Sequence, residues 1–435
     1  MTGCTGIADS FLSSLLRGGD RLYIPALIGG WVLTWLLMYK YHWMVMLNTF
    51  LLSVVFIEPA PCDILFVLLF IFGIAGKHID LARLKGYKSA VLSFILFAIV
   101  NTLQLFNIAE RWVGIRYYAI TLYLVVFCLY ISIYANRDNM KGLLAAYVVS
   151  STISALLGIL AHLGVFPTIL MYDEYSIKGF FKDPNVLGPF LVPAVLIMID
   201  DMGKRRLLSC PIWVYPAVIV INMLGIIATF SRGAWLNLLV CISLYFILNI
   251  RKIDFKKVNY KKLLVYAAFF AVAGFLFWNY GLSRDFKLFI FSRLGIQSYD
   301  ADRFTVQNIG ISLALDNLLG YGPGQFECTV MDQIGVKFSS HNLYIRLLVE
   351  NGAGGFLIFT SGLICIFYRL ILDFRLGRSY AVLTPAGLSA ILSGIMVNSM
   401  VIDTLHWRHF WFFIGLSMAN VILGEGKKIE NKGAG

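Results

Sequence analysis

Charge is what this chain has least of. Only 14% of its 435 residues are Asp, Glu, Lys or Arg, where a soluble domain carries roughly a quarter. That shortfall excludes an ordinary soluble globular protein. The seven cysteines are scattered and form no CxxC pair, which excludes a cysteine metal knuckle and gives no disulfide framework. They read as small apolar core residues. Period-two alternation is missing, so a transmembrane barrel is excluded, and an open sheet in lipid would leave backbone groups unpaired. The first twenty residues lack a basic segment followed by a long apolar core, so no cleavable signal is expected. There is no internal repeat, no low-complexity tract and no linker.

What is present is apolar sequence in long blocks. Hydrophobic residues make up 59% of the chain and mean hydropathy is +0.78. A bilayer core of about 30 Å takes roughly 20 helical residues to cross, and blocks near that size recur at 22–39, 43–57, 63–76, 89–108, 117–135, 142–163, 185–199, 211–230, 233–250, 263–280, 342–368, 379–401 and 407–424. The pattern predicts an all-α polytopic membrane protein of 12–13 transmembrane helices. It forms a single domain over 1–435, with one large loop at 281–340. Within that loop ADRFTVQNIGISLALDN mixes apolar Phe304, Ile309, Ile311, Leu313 and Leu315 with polar positions, which predicts amphipathic helices lying on the membrane surface. GYGPGQF, Gly320 to Phe326, is a turn cluster that folds the loop back.

The net charge of +12 is explained by orientation rather than nucleic-acid binding. Alternate connections are basic: Lys77 to Lys88, Arg137 to Lys141, Lys204 to Arg206, Arg251 to Lys262, Arg369 to Arg378 and the tail after Lys427. These hold 21 lysines and arginines against 11 in the opposite set. The positive-inside rule assigns the first set to the cytoplasm. The long loop, His341, Arg232, Arg116 and Lys182 then fall at the outer face.

Several residues there suit chemistry. His341 stands where the loop ends and an apolar helix begins, in KFSSHNLYIRLLVENGAGG. Ser339 or Ser340 as helix cap would put His341 in the first turn, where the helix dipole disfavours the imidazolium and leaves a neutral ring fit to act as a base. Arg232, in TFSRGAW, and Arg303, in DADRFTVQ, offer planar guanidinium groups that grip phosphates through paired hydrogen bonds. Lys182, in GFFKDPN, is a further phosphate contact, and Arg116 and Asn342 are possible substrate contacts. Asp183 or Asn185 reads as a helix cap beside Pro184. Arg346 and Glu350 stand four apart and form an ion pair inside the span, and Asn351 to Gly355 allow close packing or a local irregularity. Asp300 and Asp302 have the spacing of a DxD metal motif but read as caps of the loop helix. Glu58 and Asp63 flank a hairpin turn and are candidates for sugar hydroxyls. His406 and His409 read as interfacial residues beside Trp407 and Trp411. No metal and no cofactor is expected.

GFFKDPNVLGPF before a span, SRG after a span, DRF in a long outer loop, GYGPGQF and SHNLYIRLLVENGAGG occur in that order. Together the set resembles the O-antigen ligase and polymerase superfamily of bacterial inner-membrane glycosyltransferases, over roughly residues 180–370. The resemblance implies a GT-C-like fold and metal-independent, inverting transfer of a glycan from an undecaprenyl-diphosphate-linked donor at the periplasmic face. It implies His341 as the catalytic histidine and Arg232 and Arg303 as the arginines that hold the diphosphate. Polymerase is favoured over ligase. The acceptor is another lipid-linked glycan in the first case and a lipid A core sugar in the second. A transporter of lipid-linked oligosaccharide is the rival from a different class, but such proteins tend to show internal repeats.

Overall fold

The computed structural model describes residues 32–433, apart from 203, 205, 206, 208, 209, 253–278, 280–282, 296, 297 and 380. The expected span at 263–280 lies almost wholly outside the described residues, as does most of that at 22–39. Among the described residues the chain is helical, with a single isolated bridge between Met171 and Ile177 in place of any sheet. The helices are α1 (Tyr41–Phe50), α2 (Pro61–Ala75), α3 (Lys88–Gln104), α4 (Arg111–Tyr134), α5 (Met140–His162), α6 (Pro184–Asp201), α7 (Val214–Ala228), α8 (Arg232–Asn249), α9 (Arg284–Leu294), α10 (Ser298–Asp316), α11 (Phe326–Ile334), α12 (Leu343–Arg375), α13 (Pro385–Asn398) and α14 (Arg408–Gly433).

Six helical segments among the described residues are long and apolar enough to cross a membrane: Leu81–Gln104, Arg111–Tyr134, Met140–His162, Pro184–Asp201, Arg232–Asn249 and Leu343–Arg375. Three shorter apolar helices, α2, α7 and α13, accompany them. The protein is therefore an all-α polytopic membrane protein. Large apolar side chains such as Leu92, Ile95, Ile99, Leu239 and Leu357 face outward along these helices. A bilayer makes that arrangement stable, and water would not. The expected span at 43–57 is cut short, since α1 ends at Phe50 and a short turn of helix over Leu51–Ser53 follows.

The interior is built on α6, α13 and α14. Phe190, Tyr147, Phe412 and Phe413 interlock there, with ring centroids of Tyr147 and Phe190 at 4.7 Å. The α8 and α13 helices pack in direct contact because each offers a glycine to the other's asparagine. A Cβ on Gly233 would meet the Asn398 Oδ1 at 2.7 Å, and one on Gly394 would come still closer to the Asn237 carboxamide oxygen. Small residues at matched positions let two backbones approach, as membrane helix pairs require. This pairing brings the start of α8 beside the end of α13, where the site lies.

The long loop is not free of the bundle. On α10, Val306 and Leu313 bury against Phe326, Val330 and Val349, while Phe304, Ile311 and Leu315 point outward. The turn cluster docks on a break in α12. Gly352 has φ +66, so the helix kinks there and its hydrogen-bond ladder is interrupted. The freed carbonyls of Val349 and Glu350 accept from the backbone N–H groups of Tyr321 (2.9 Å) and Gly322 (2.8 Å), and the Ala353 N–H donates to the Leu318 carbonyl at 2.9 Å. Glycine is required on both sides: a Cβ on Gly320 would lie 2.5 Å from the Glu350 carbonyl oxygen, and one on Gly352 would lie 2.4 Å from the Leu318 carbonyl oxygen. The irregularity expected at Asn351 to Gly355 is thus the seat for the loop.

Candidate active site

One cavity of about 700 Å³ is lined by His341, Arg232 and Arg303, together with Asp183, Asn185 and Asp300. These come from four distant parts of the chain, and local sequence explains how each is held. The Asp183 carboxylate caps α6, accepting from the Asn185 N–H at 2.7 Å, with Pro184 at the first helical position. Ser231 caps α8, its Oγ accepting from the Ala234 N–H at 3.3 Å. The same hydroxyl donates to Asn185 Oδ1 at 2.8 Å, which ties the two helix starts together. Arg232 follows the Ser231 cap directly and so projects from the first turn of α8.

The expectation that Ser339 or Ser340 caps α12 is corrected. Asn342 is the cap, its Oδ1 accepting from the N–H groups of Tyr344 (2.9 Å) and Ile345 (3.2 Å). His341 therefore precedes the helix instead of lying in its first turn. It has φ +44, a left-handed conformation that costs a non-glycine residue on the order of 1 kcal/mol. The strain is held by the neighbouring turn, in which the Asn342 N–H donates to Ser340 Oγ at 3.3 Å. Burial, and then the Arg303 charge, push the His341 imidazole below its ordinary pKa, against a smaller opposing pull from Asp183. The neutral ring that a base needs is thus favoured, for reasons of burial and charge rather than through the dipole of a first turn.

Asp300 and Asp302 are also reassigned. The Arg232 Nη2 donates to both Asp300 carboxylate oxygens, at 2.6 and 2.8 Å, and its Nη1 donates to the Gly295 carbonyl at 3.1 Å. Asp300 is thus a partner of the arginine in the cavity wall, while Asp302 points to the exterior. Among the described residues no group of three or more His, Cys, Asp and Glu side chains is placed to hold a metal.

Other expected contacts lie elsewhere. Lys182 pairs with Glu58 at 2.8 Å and is not among the cavity's lining residues. Arg116 is exposed on α4 and also lies off the cavity. Asn342 is occupied as a cap. Asp63 is held by Arg408, whose Nε donates to Oδ1 at 2.7 Å, while Glu58 is a half-exposed partner of Lys182, and neither lines the cavity. His409 is buried against Phe190 rather than interfacial, and His406 Nε2 lies 3.0 Å from Thr121 Oγ1. The expected Arg346–Glu350 pair forms at 2.9 Å. It belongs to a larger group in which Arg346 also meets Glu327, Asp403 at 2.7 Å and Ser339 Oγ at 3.1 Å. This cluster braces the segment just before His341.

The cavity also holds residues that the sequence did not single out. Gln307 and Arg293 line it, as does Asn398, whose side chain is 1% exposed with no hydrogen-bond partner on either carboxamide atom. A polar residue inside an apolar run was the available signal for Asn398, since such residues face interiors and pathways.

Fold and site together define a multi-pass helical membrane protein with a basic, histidine-bearing cavity at one end of its bundle. Residues 217–360, from α7 into α12, match the family model described as O-antigen ligase. The match spans Arg232, Arg303 and His341. Over that third of the chain the protein is similar to O-antigen ligases. No curated protein gives a significant match to the chain.

Proposed function

We propose that the protein is a polysaccharide polymerase that transfers a glycan from an undecaprenyl-diphosphate-linked donor to the hydroxyl of a second lipid-linked glycan, at the periplasmic face of the inner membrane. The observation that carries this reading is the convergence of His341, Arg232 and Arg303 on one cavity. A sugar diphosphate brings its own leaving group, so the protein has two tasks. His341 takes the proton from the acceptor hydroxyl as its oxygen bonds to the anomeric carbon. The bond from that carbon to the phosphate oxygen breaks on the opposite side, and the electron pair leaves with undecaprenyl diphosphate. Arg232 and Arg303 balance the charge that gathers there. A general base contributes roughly 10²–10⁴-fold, and donors fixed on developing charge can each add about 3 kcal/mol. Inversion follows from a single displacement.

The sidedness rests on the 21-to-11 division of basic residues. Ligation to lipid A core is the second reading, and the family match is compatible with either. One experiment separates the readings. Purified protein is given a lipid-linked repeat unit with and without lipid A core. A product ladder without core supports polymerase, and a single core adduct replaces it with ligase. An intact donor under both conditions would overturn the enzyme reading.

A further inference from the structure

A second cavity, of about 450 Å³, opens at the other end of the bundle. Its lining includes Lys85, Tyr87, Lys88, Ser89, Arg369 and Glu425. Arg369 lies 17 residues beyond the Gly352 kink of α12, which is about 25 Å of straight helix axis. The site thus lies toward the opposite end of α12 from His341. Among the described lining residues three cations, Lys85, Lys88 and Arg369, stand with the carboxylate of Glu425, which is paired with Arg369, and the buried Asp373 carboxylate lies near Tyr87. Two donors in the wall lack a partner. The Tyr87 hydroxyl is buried with no hydrogen bond, its residue 6% exposed, and the Arg369 Nε is likewise unpartnered. Unsatisfied buried donors are costly, and here they stand beside excess positive charge. The start of α3 at Lys88 adds the positive end of a helix dipole.

The cavity does not end in water on all sides. On α12, Ser361, Ile364 and Tyr368 lie three and four residues apart and so share one face, and Ile364 and Tyr368 are among the most exposed side chains of that helix. Facing them on α3 are Ser93 and the exposed Leu92. The Ser93 and Ser361 hydroxyls approach to 3.4 Å, and a Cβ on Gly362 would lie 3.0 Å from Ser93 Cβ. The helices are closely packed at this seam, and the exposed apolar side chains of Leu92, Ile364 and Tyr368 lie near it.

We propose that this cavity binds the phosphate of an anionic glycerophospholipid, with Lys85, Lys88 and the Arg369 Nε around the phosphate and Tyr87 as a hydroxyl donor to it. An acyl chain lies over the seam between α3 and α12. A basic pocket between membrane helices at the lipid surface is suited to such a headgroup. The exposed apolar side chains of Leu92, Ile364 and Tyr368 favour a lipid over a free phosphate.

The test uses the full chain in nanodiscs, with binding of phosphatidylglycerol followed by native mass spectrometry. Phosphatidylcholine and inorganic phosphate serve as comparison probes. Lys85→Gln/Lys88→Gln removes two exposed cations without touching the core. It should weaken phosphatidylglycerol binding by roughly thirtyfold, about fivefold per lysine, while leaving elution and glycan transfer unchanged. Ser361→Phe, which alters the apolar surface beside the seam, should weaken phosphatidylglycerol but not inorganic phosphate. Equal binding of phosphatidylglycerol and phosphatidylcholine would overturn the proposal, as would unchanged binding in the double variant. Inorganic phosphate binding as tightly as phosphatidylglycerol would replace the lipid with a free anion.

Discussion

A single guanidinium nitrogen of Arg232 reaches both carboxylate oxygens of Asp300, at 2.6 and 2.8 Å. The contact joins the first turn of α8 to the first turn of α10, so it ties the loop to the bundle as well as orienting the arginine. It also sets a condition on ligand binding, because a diphosphate at Arg232 must share or displace that carboxylate. A planar group with several donors can hold Asp300 and a phosphate at once, whereas an ammonium is a single point of charge.

Arg232→Lys should therefore lose far more than its conserved charge suggests. We expect transfer to fall at least about a hundredfold, equal to the roughly 3 kcal/mol expected of a fixed donor on developing charge. The folded particle should persist on size exclusion. Near-normal transfer by both Arg232→Lys and Arg303→Lys would remove these arginines from the mechanism.

His341→Ala should lose most turnover yet retain donor binding, since the arginines remain. The rate profile gives a sharper check. His341 acts as base only when neutral, so activity is present above its folded pKa and is lost as pH falls through it. Burial and Arg303 hold that pKa below the ordinary value, so the acidic limb should lie on the acid side of a free imidazole. Arg303→Gln removes a charge that lowers it. At saturating donor its acidic limb should move to higher pH, and a limb that stays in place would separate the observed ionisation from His341.

Gly352→Ala tests the docking of the loop on α12. The position has φ +66 and its Cβ would lie 2.4 Å from the Leu318 carbonyl oxygen. The left-handed backbone alone costs about 1–2 kcal/mol, and the clash adds to it. A clear fall in thermal stability should come with loss of transfer, because the loop that carries Arg303 is seated there. Wild-type stability and activity in Gly352→Ala would show that the kink is not needed.

Metal independence is expected of the transfer step. Asp302, the outward member of the DAD motif, should tolerate alanine with substantial turnover retained, and activity should survive EDTA. Activity lost to EDTA and restored by Mg²⁺ or Mn²⁺ would refute this expectation.

The sequence by itself determined the membrane class, the helical fold and the positions of His341, Arg232 and Arg303. Hydropathy blocks and turn residues are local properties, and a side chain that is costly in lipid marks itself. It also marked Asn351 to Gly355 for close packing or an irregularity, and the Arg346–Glu350 pair, whose spacing along one helix face is fixed by the helix repeat; which of the two happens, and that it happens at Gly352, came from the structure. Tertiary structure decided the partners. Asp300 became the counter-charge of Arg232, and Lys182 turned to Glu58. Asn342 took the cap that Ser339 or Ser340 was expected to supply, and Asn398 entered the cavity through the glycine contacts of α8 with α13. Each of these depends on which helices lie side by side. That follows from packing over distances of tens to hundreds of residues, which no local pattern encodes.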